Sequence, residues 1–446
     1  MDIDKLIDKD KIKKVVDEVA KEVEPNQELK ERLKKVEQLI SERLKSKGLK
    51  FVIGGSYARD TWLPEEPDID FFVLYDQSLG AEKIGKKATE ELVDIVKDLN
   101  YWLNYAEHPY VEGVVDGVKF NLVPCADTNP GNWITSMDRS RFHNEYLKER
   151  LNENLKKEIR VFKKFLKSNE LYGAEIKVGG LSGYVSEILI LKYGSFDEAL
   201  KNIVKWQKGE VISLEPYHYD PKKVFNTEVI ILDPVDEKRN LASAIKNSVL
   251  AKLKVISLEF LINPDKKFFY KREILAKDEI AGNVLIVSFK VPNYVEDIRW
   301  GMYYRAQEAM SNALKSNGFN VIRSTINEDE NNVSFAFFLE FNLRMFERRA
   351  GPPVYYLDNV LKFVSSHDIV WAENDMRLYS YVKSKTPDAK DVLYKMTQNP
   401  TANGIPKQLS FEFKNAKIFY YNEISSNDSF YNSAKGAYSK LFDTLT

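Results

Sequence analysis

Gly54-Gly55-Ser56-Tyr57-Ala58-Arg59, followed by Asp68-Ile69-Asp70-Phe71-Phe72-Val73-Leu74, is the stretch whose reading decides the fold. The short apolar run Phe51–Ile53 predicts a strand leading into the glycine turn. Past the turn residues Pro64–Pro67, Ile69–Leu74 predicts a second strand. Strand residues i and i+2 share a face, so Asp68 and Asp70 stand side by side while Ile69 and Phe71 pack on the other side. Two such carboxylates repel unless a cation lies between them. Mg2+ suits the position, because it takes hard oxygen ligands, usually one or two carboxylates plus phosphate oxygens. A Gly-Gly-Ser turn lets backbone N–H groups approach a phosphate. Ser56 adds a hydroxyl and Arg59 a positive charge. Alone, an Asp-x-Asp is most often a solvated strand end and a Gly-Gly only a turn. Joined in one strand–turn–strand unit, they are far more specific.

Outward from this unit, residues 1–48 read as two helices punctuated by Pro25-Asn26, with Leu6, Ile7, Ile12, Val15, Val16 and Val19 at helical spacing. Gly80–Leu99 predicts a helix. Tyr110–Val115 and Val118–Val123 predict a hairpin turning at Asp116-Gly117. A Lys/Glu-rich helix is expected over Leu147–Leu166, a break at Gly179–Gly183, and an apolar helix over Tyr184–Leu191. Beyond Phe260 come strands Val284–Val291, Phe319–Ser324 and Val333–Phe341, with a helix Ile298–Ser316 after the first. This α+β module is expected to end at Gly351-Pro352-Pro353.

The chain has 446 residues and a formal net charge of -1, with 43% hydrophobic and 30% charged residues, which excludes a wholly disordered protein. No run approaches the roughly 18 apolar residues of a membrane span, and the first residues lack a secretory apolar region. Cys125 is the one cysteine, so neither an intrachain disulfide nor a cysteine zinc site is expected, and a reducing, cytoplasmic setting is the default. There is no basic excess overall, so any nucleic acid must meet local basic patches.

The turn and the paired acids resemble the nucleotidyltransferase superfamily. The longer stretch GGSYARDTWLPEEPDIDFFVLYD resembles archaeal (class I) CCA-adding enzymes, the tRNA nucleotidyltransferases. The likeness runs on through Tyr105–Val111, Val123-Pro124-Cys125, Met137–His143, Glu158–Lys163, Leu171–Glu175, Gly180–Tyr184, Asp233–Asn240 and Gly351–Val354, in the family's order and over nearly the whole chain. It implies an α+β multidomain fold: a polymerase-beta-like nucleotidyltransferase palm head over 1–146, a mainly helical neck with base recognition over 147–260, and an α+β body and tail over 261–446 that bind tRNA. It implies Mg2+ held by Asp68 and Asp70. It implies triphosphate contacts from Gly55, Ser56 and Arg59 in the turn and from Lys163 and Tyr172 in the neck. Ser140 and His143 match a further nucleotide contact, and Arg239 an arginine that helps choose CTP or ATP. The partners implied are tRNA, through its acceptor stem and elbow, with CTP and ATP. No membrane is implied, and a homodimer is left open.

One position departs from the pattern. Where the family has a third metal-binding Asp before Val-Pro-Cys, this sequence has Asn121. An amide oxygen can ligate Mg2+ but carries no formal charge, so metal binding and activation of the attacking hydroxyl should weaken. Asn121 is then an introduced replacement that disables turnover, a natural residue compensated by substrate oxygens, or the mark of a paralogue that binds RNA without extending it.

Bland readings stand beside the other candidates. His108 reads as structural, His218 and His367 as surface or interdomain residues, and Cys125 as a packed side chain. Lys156, Lys157, Arg160, Lys164 and Lys167 read as a solvated face or an RNA-facing one, with Glu153 and Glu158 favouring the former. Phe268-Phe269-Tyr270, flanked by Lys266, Lys267, Lys271 and Arg272, reads equally as a packed edge strand or a base-stacking clamp. Arg344, Arg348 and Arg349 could meet phosphates. The rival activities are a poly(A)-polymerase-like transferase, which would ignore CTP, and an inactive tRNA-binding paralogue.

Overall fold

A computed structural model describes Lys5 and residues 7–105, 109–272 and 278–443. Leu6, and the part of the Tyr105–Val111 block that holds His108, lie outside the described residues. The chain divides into two compact bodies, one within 1–272 and one within 273–444.

The first body opens with α1 (Lys9–Glu22) and α2 (Gln27–Ser46), capped by the side chains of Asp8 and Asn26. Then follow β1 (Lys50–Gly54), α3 (Gly55–Arg59) and β2 (Asp68–Asp76). Next, α4 (Gly80–Lys87) runs through a π turn into α5 (Val93–Val96). β3 (Asn100–Tyr105), β4 (Pro109–Val115) and β5 (Val118–Asp127) complete a five-stranded sheet of order β1-β2-β5-β4-β3. β2 and β5 pair in parallel and the other neighbours are antiparallel. The β4–β5 turn is Asp116-Gly117, both at positive φ, as a tight two-residue hairpin requires. The alternation in β2 has the expected consequence: Ile69, Phe71 and Val73 are buried with Leu33, Val36 and Ile40 of α2, leaving Asp68 and Asp70 on the opposite face.

The Lys/Glu-rich helix expected from Leu147 starts six residues later, as α7 (Glu153–Ser168), after a separate α6 (Arg139–Lys148). Asn152 caps the start of α7 by accepting from Leu155 N–H at 2.9 Å. α8 (Gly183–Tyr193), α9 (Phe196–Lys205), the short α10 (Pro221–Val224) and α11 (Asn247–Ile262) follow, with a small sheet of β6 (Glu210–Ile212), β7 (Val229–Asp233) and β8 (Asp236–Asn240) that the sequence reading missed. Their shared core includes Ile12, Val16 and Val19, so α1, taken as part of the head, buries its apolar stripe among the neck helices. Lys266–Phe269 is a 3-10 turn rather than a strand. Phe268 and Phe269 are buried in that core, which rules them out as base-stacking rings.

Phe165 anchors this core, its ring 5.4 to 5.8 Å from those of Phe196, Phe260 and Phe269. Phe165→Ala should destabilise the first body by about 3–5 kcal/mol, because the rings around it cannot collapse into the space. Urea unfolding followed by circular dichroism checks this.

In the second body, β9 (Val284–Lys290), α12 (Glu296–Ser316), β10 (Val321–Glu328) and β11 (Asn332–Leu339) match the expected order. The expected end at Gly351-Pro352-Pro353 is instead part of β12 (Phe346–Pro353), an edge strand, where proline is tolerated. α13 (Leu357–Ser365), β13 (Val370–Ala372) and β14 (Arg377–Lys383) join it in a sheet of order β12-β14-β13. α14 (Ala389–Gln398), α15 (Ser410–Lys414), β15 (Lys417–Tyr420) and α16 (Tyr431–Lys440) close the chain. The main sheet, β10-β11-β9-β15, packs Leu285 and Val287 against α12 and Val284 and Ile286 against α16. Among the described residues no helix is long and apolar enough to cross a membrane.

Candidate active site

Register brings the acids and Asn121 together. β2 and β5 pair with Asp70 opposite Asn121, and β4 places Glu112 on the far side of Asn121. Asn121 Nδ2 donates to Asp70 Oδ1 at 2.8 Å, while Asn121 Oδ1 is buried without a hydrogen-bond partner. Gly55 is at φ +67, and a Cβ there would lie 1.9 Å from Asp70 Oδ2, so only glycine lets the turn close over this carboxylate. Ser56 Oγ reaches Asp68 Oδ1 at 3.4 Å. Burial and the neighbouring Asp68 push the Asp70 carboxyl up to about 7, and burial raises Asp68 as well. Such crowding is what a cation between the acids would relieve. Two carboxylates and an unpartnered amide oxygen are hard donors that fit Mg2+. Among the described residues no three His, Cys, Asp or Glu side chains converge to hold a metal.

Arg59 ends α3 and is buried. Its Nε donates to Glu187 Oε2 at 2.9 Å, its Nη2 lies 2.8 Å from the same oxygen, and its Nη1 donates to Asn144 Oδ1 at 3.3 Å. Lys163, on the buried face of α7, is 1% exposed. Its ammonium donates to Thr61 O at 3.1 Å, Thr61 Oγ1 at 3.2 Å and Glu187 Oε1 at 2.9 Å, which occupies all three N–H donors. Burial lowers its pKa, while Glu187 pulls the other way. A Cβ at Gly183 would lie 2.8 Å from Tyr172 Oη and 3.7 Å from Lys163 Nζ, so these two candidates converge over that glycine.

His143 and Arg239 belong to a second cluster that the sequence reading did not join. Asp233, at the end of β7, accepts from Arg239 Nη1 at 3.1 Å and lies 2.8 Å from His143 Nε2. Tyr184 stacks on the imidazole with centroids 4.0 Å apart. Burial lowers the His143 pKa against the pull of Asp233. Ser140 sits three residues earlier on α6, partly buried. Arg239 is exposed at the rim of a cavity of about 860 Å³, lined also by Trp133, Arg139, Phe225 and Asp236.

The cations flanking Lys163 are spoken for. Lys157 pairs with Asp17 at 2.7 Å, Lys167 with Glu66 at 2.6 Å, Lys164 with Glu65, and Arg160 donates to Asp60 O at 2.6 Å. Glu158, expected on a solvated face, is buried and accepts from Phe196 N–H at 2.9 Å. The sequence reading also missed Glu187. Its signal was a lone acid in the apolar run Ser186-Glu187-Ile188-Leu189-Ile190.

Residues 33–143 match the family described as Nucleotidyltransferase domain. Residues 157–270 match tRNA nucleotidyltransferase, second domain, and 281–417 match CCA-adding enzyme, C-terminal domain. The CCA-adding enzyme of Saccharolobus islandicus is 36% identical over 384 residues, covering 85% of this chain and 91% of its own. The chain belongs to the CCA-adding enzyme family. The CCA-adding enzyme of Sulfurisphaera tokodaii is 38% identical over 82% of this chain and 87% of its own. Among solved structures, the Cid1 poly(U) polymerase aligns over 58% of this chain and 98% of its own, at 13% identity and a TM-score of 0.47. As a CCA-adding family member the chain is a nucleotidyltransferase, and its nucleotidyltransferase domain spans the glycine turn and the paired acids.

Proposed function

We propose that the protein completes tRNA 3′ ends, transferring CMP twice and AMP once from CTP and ATP, without a nucleic-acid template. The observation that carries this is the convergence of the Gly55 turn, Asp68, Asp70, Arg59 and Lys163 on one side of the head sheet. Asp68 and Asp70 would hold Mg2+, with Asn121 Oδ1 joining them if its amide, which now gives Nδ2 to Asp70, turns over; the ion supplies charge neutralisation at the reacting phosphate and a lower pKa for the attacking hydroxyl. Gly55 admits the phosphate chain to the strand end, and Ser56 Oγ donates to it. Arg59 and Lys163 offset its charge, Lys163 by exchanging a Thr61 acceptor for phosphate oxygen, with Tyr172 beside it. The protein thus positions groups and stabilises charge. Asp233 orients both His143 and Arg239, and Arg239 lines the cavity where the base would lie; Ser140 shares α6 with His143. The body and tail would take the tRNA acceptor stem and elbow by shape.

The test is extension of a tRNA transcript lacking its 3′-CCA, with Mg2+, CTP and ATP. Addition of C, C and A supports the reading, and use of ATP alone favours the poly(A)-type rival. The hydrogen bond between Asn121 and Asp70 favours one second reading, a tRNA binder that does not extend. Tight binding without extension, even in Asn121→Asp, would establish that reading.

Arg239 gives a separate prediction. Arg239→Ala should weaken CTP binding roughly tenfold or more, the loss of a charged hydrogen bond at the base. Inorganic pyrophosphate, which reads only the phosphate contacts, should bind unchanged. Calorimetric titration with CTP and with pyrophosphate checks both.

A further inference from the structure

Glu187 is 0% exposed on α8, and its carboxylate meets three partners from the head and neck. It accepts from Arg59 Nε at 2.9 Å, from Lys163 Nζ at 2.9 Å and from the Thr61 hydroxyl. Burial alone would raise its pKa, yet Arg59 and Lys163 hold it below the usual carboxylate range. A buried carboxylate persists only when paired and hydrogen-bonded. Here two cations share one acid, so the cluster keeps a positive charge that Asp68 partly balances.

We propose that Glu187 is a positioning residue for nucleotide binding: from the buried side it fixes Arg59 and Lys163, so that the triphosphate meets two preset cations. This rests on reading those two residues as the triphosphate contacts. The geometry supports fixing over competition. Arg59 uses Nε and Nη2 on Glu187 and Nη1 on Asn144, which holds the guanidinium plane from two sides. A lysine stem is long and flexible, and a donor already held in place need not be ordered again when ligand arrives. Thr61 extends the device. Its hydroxyl donates to Glu187 and accepts from Lys163, and its carbonyl accepts from Lys163 too. A purely structural staple between α3, α7 and α8 would serve stability alone. A competing anion would hold the cations away from phosphate.

The test measures CTP binding to the full chain by calorimetry in Mg2+, so it needs no turnover. tRNA binding by filter retention and thermal unfolding are read in parallel. Glu187→Gln should weaken CTP binding at least about tenfold, as expected for disordering two charge-assisted donors, while tRNA binding stays within about twofold. Glu187→Asp, which keeps the charge, should recover most of the loss. Thr61→Val should weaken CTP binding about threefold. Glu187→Gln that only lowers the melting temperature overturns the proposal in favour of the staple, and tighter CTP binding overturns it in favour of the competing anion. Should Glu187→Gln fail to fold, unchanged CTP affinity in both Glu187→Asp and Thr61→Val overturns it equally. If the unmodified chain binds no CTP, or Arg59→Met binds it as well, the reading of the phosphate site itself falls, which is a different result from a failure at Glu187 alone.

Discussion

Asn121→Asp adds C, C and A to a truncated tRNA about a hundredfold faster than the unmodified chain, which corresponds to about 3 kcal/mol of transition-state stabilisation. The expectation follows from the row Asp70, Asn121, Glu112 that register builds across three strands. In the middle of that row the amide offers an unpartnered oxygen and no charge, and it gives its N–H to Asp70. That donation steadies an acid that a divalent ion should bind. A carboxylate at 121 removes the donor and adds a second repulsion beside Asp70. In chelator, Asn121→Asp should therefore melt at a lower temperature than the unmodified chain, and millimolar Mg2+ should reverse the difference. Primer extension on gels and calorimetric melting with and without Mg2+ give the two readouts. Equal extension rates would mean that the amide and substrate oxygens suffice. Faster extension without the Mg2+-dependent rise in melting temperature would place the gain somewhere other than metal binding.

The head was legible because its signals are local. The start of β2 alternates acid and apolar residues, Asp116-Gly117 is a composition that suits a tight hairpin, and the glycine turn closes over an acid, Asp70 beneath Gly55. The rest depended on partners distant in sequence. β12 contains Gly351-Pro352-Pro353, which breaks both alternation and propensity, and it exists because β14 pairs with it. β6 to β8 are too short for a period to register. Lys266–Tyr270 has a strand-like composition, yet Phe268 and Phe269 find their places in the neck core. The site divides in the same way. Asp68, Asp70 and Arg59 announce themselves through spacing. Glu187, Thr61 and Asp233 become functional candidates only when folding brings them to Arg59, Lys163 and His143, across separations of up to 128 residues. The charged face of α7 misled for the same reason, since acids distant in sequence, Asp17 of α1 and Glu66 before β2, pair with it.

Asp70→Asn should make the metal-free protein more stable at pH 8 and, at the same time, end nucleotide transfer. Burial and Asp68 push Asp70 up to about 7 in the folded state, whereas an unfolded chain releases this proton near about 3.9. The folded state therefore holds a proton that the unfolded state has lost. As pH rises from about 4 to about 7, unfolding gains free energy through this group, and stability falls; above about 7 the loss is complete and constant. At pH 8 the deficit is on the order of 4 kcal/mol, and well below about pH 4 it vanishes. An amide at position 70 has no proton to lose and can still accept from Asn121 Nδ2. The stability of Asp70→Asn minus that of the unmodified chain should thus grow from nothing well below about pH 4 to its full value by pH 8. Mg2+ should stabilise the unmodified chain at pH 8 but not the variant, since one of its two carboxylates is gone. Transfer should fall at least about a thousandfold, because charge at the reacting phosphate is stabilised mainly by fixed electrostatics there. Urea titrations across pH in chelator, with extension assays on the same samples, measure both effects. A stability gap that does not change with pH would show that Asp70 is already ionised in the folded protein. The acids would then be held apart by Ser56, Arg59 and Lys163 without needing a cation, and the activity loss in Asp70→Asn would have to be explained by contacts to substrate.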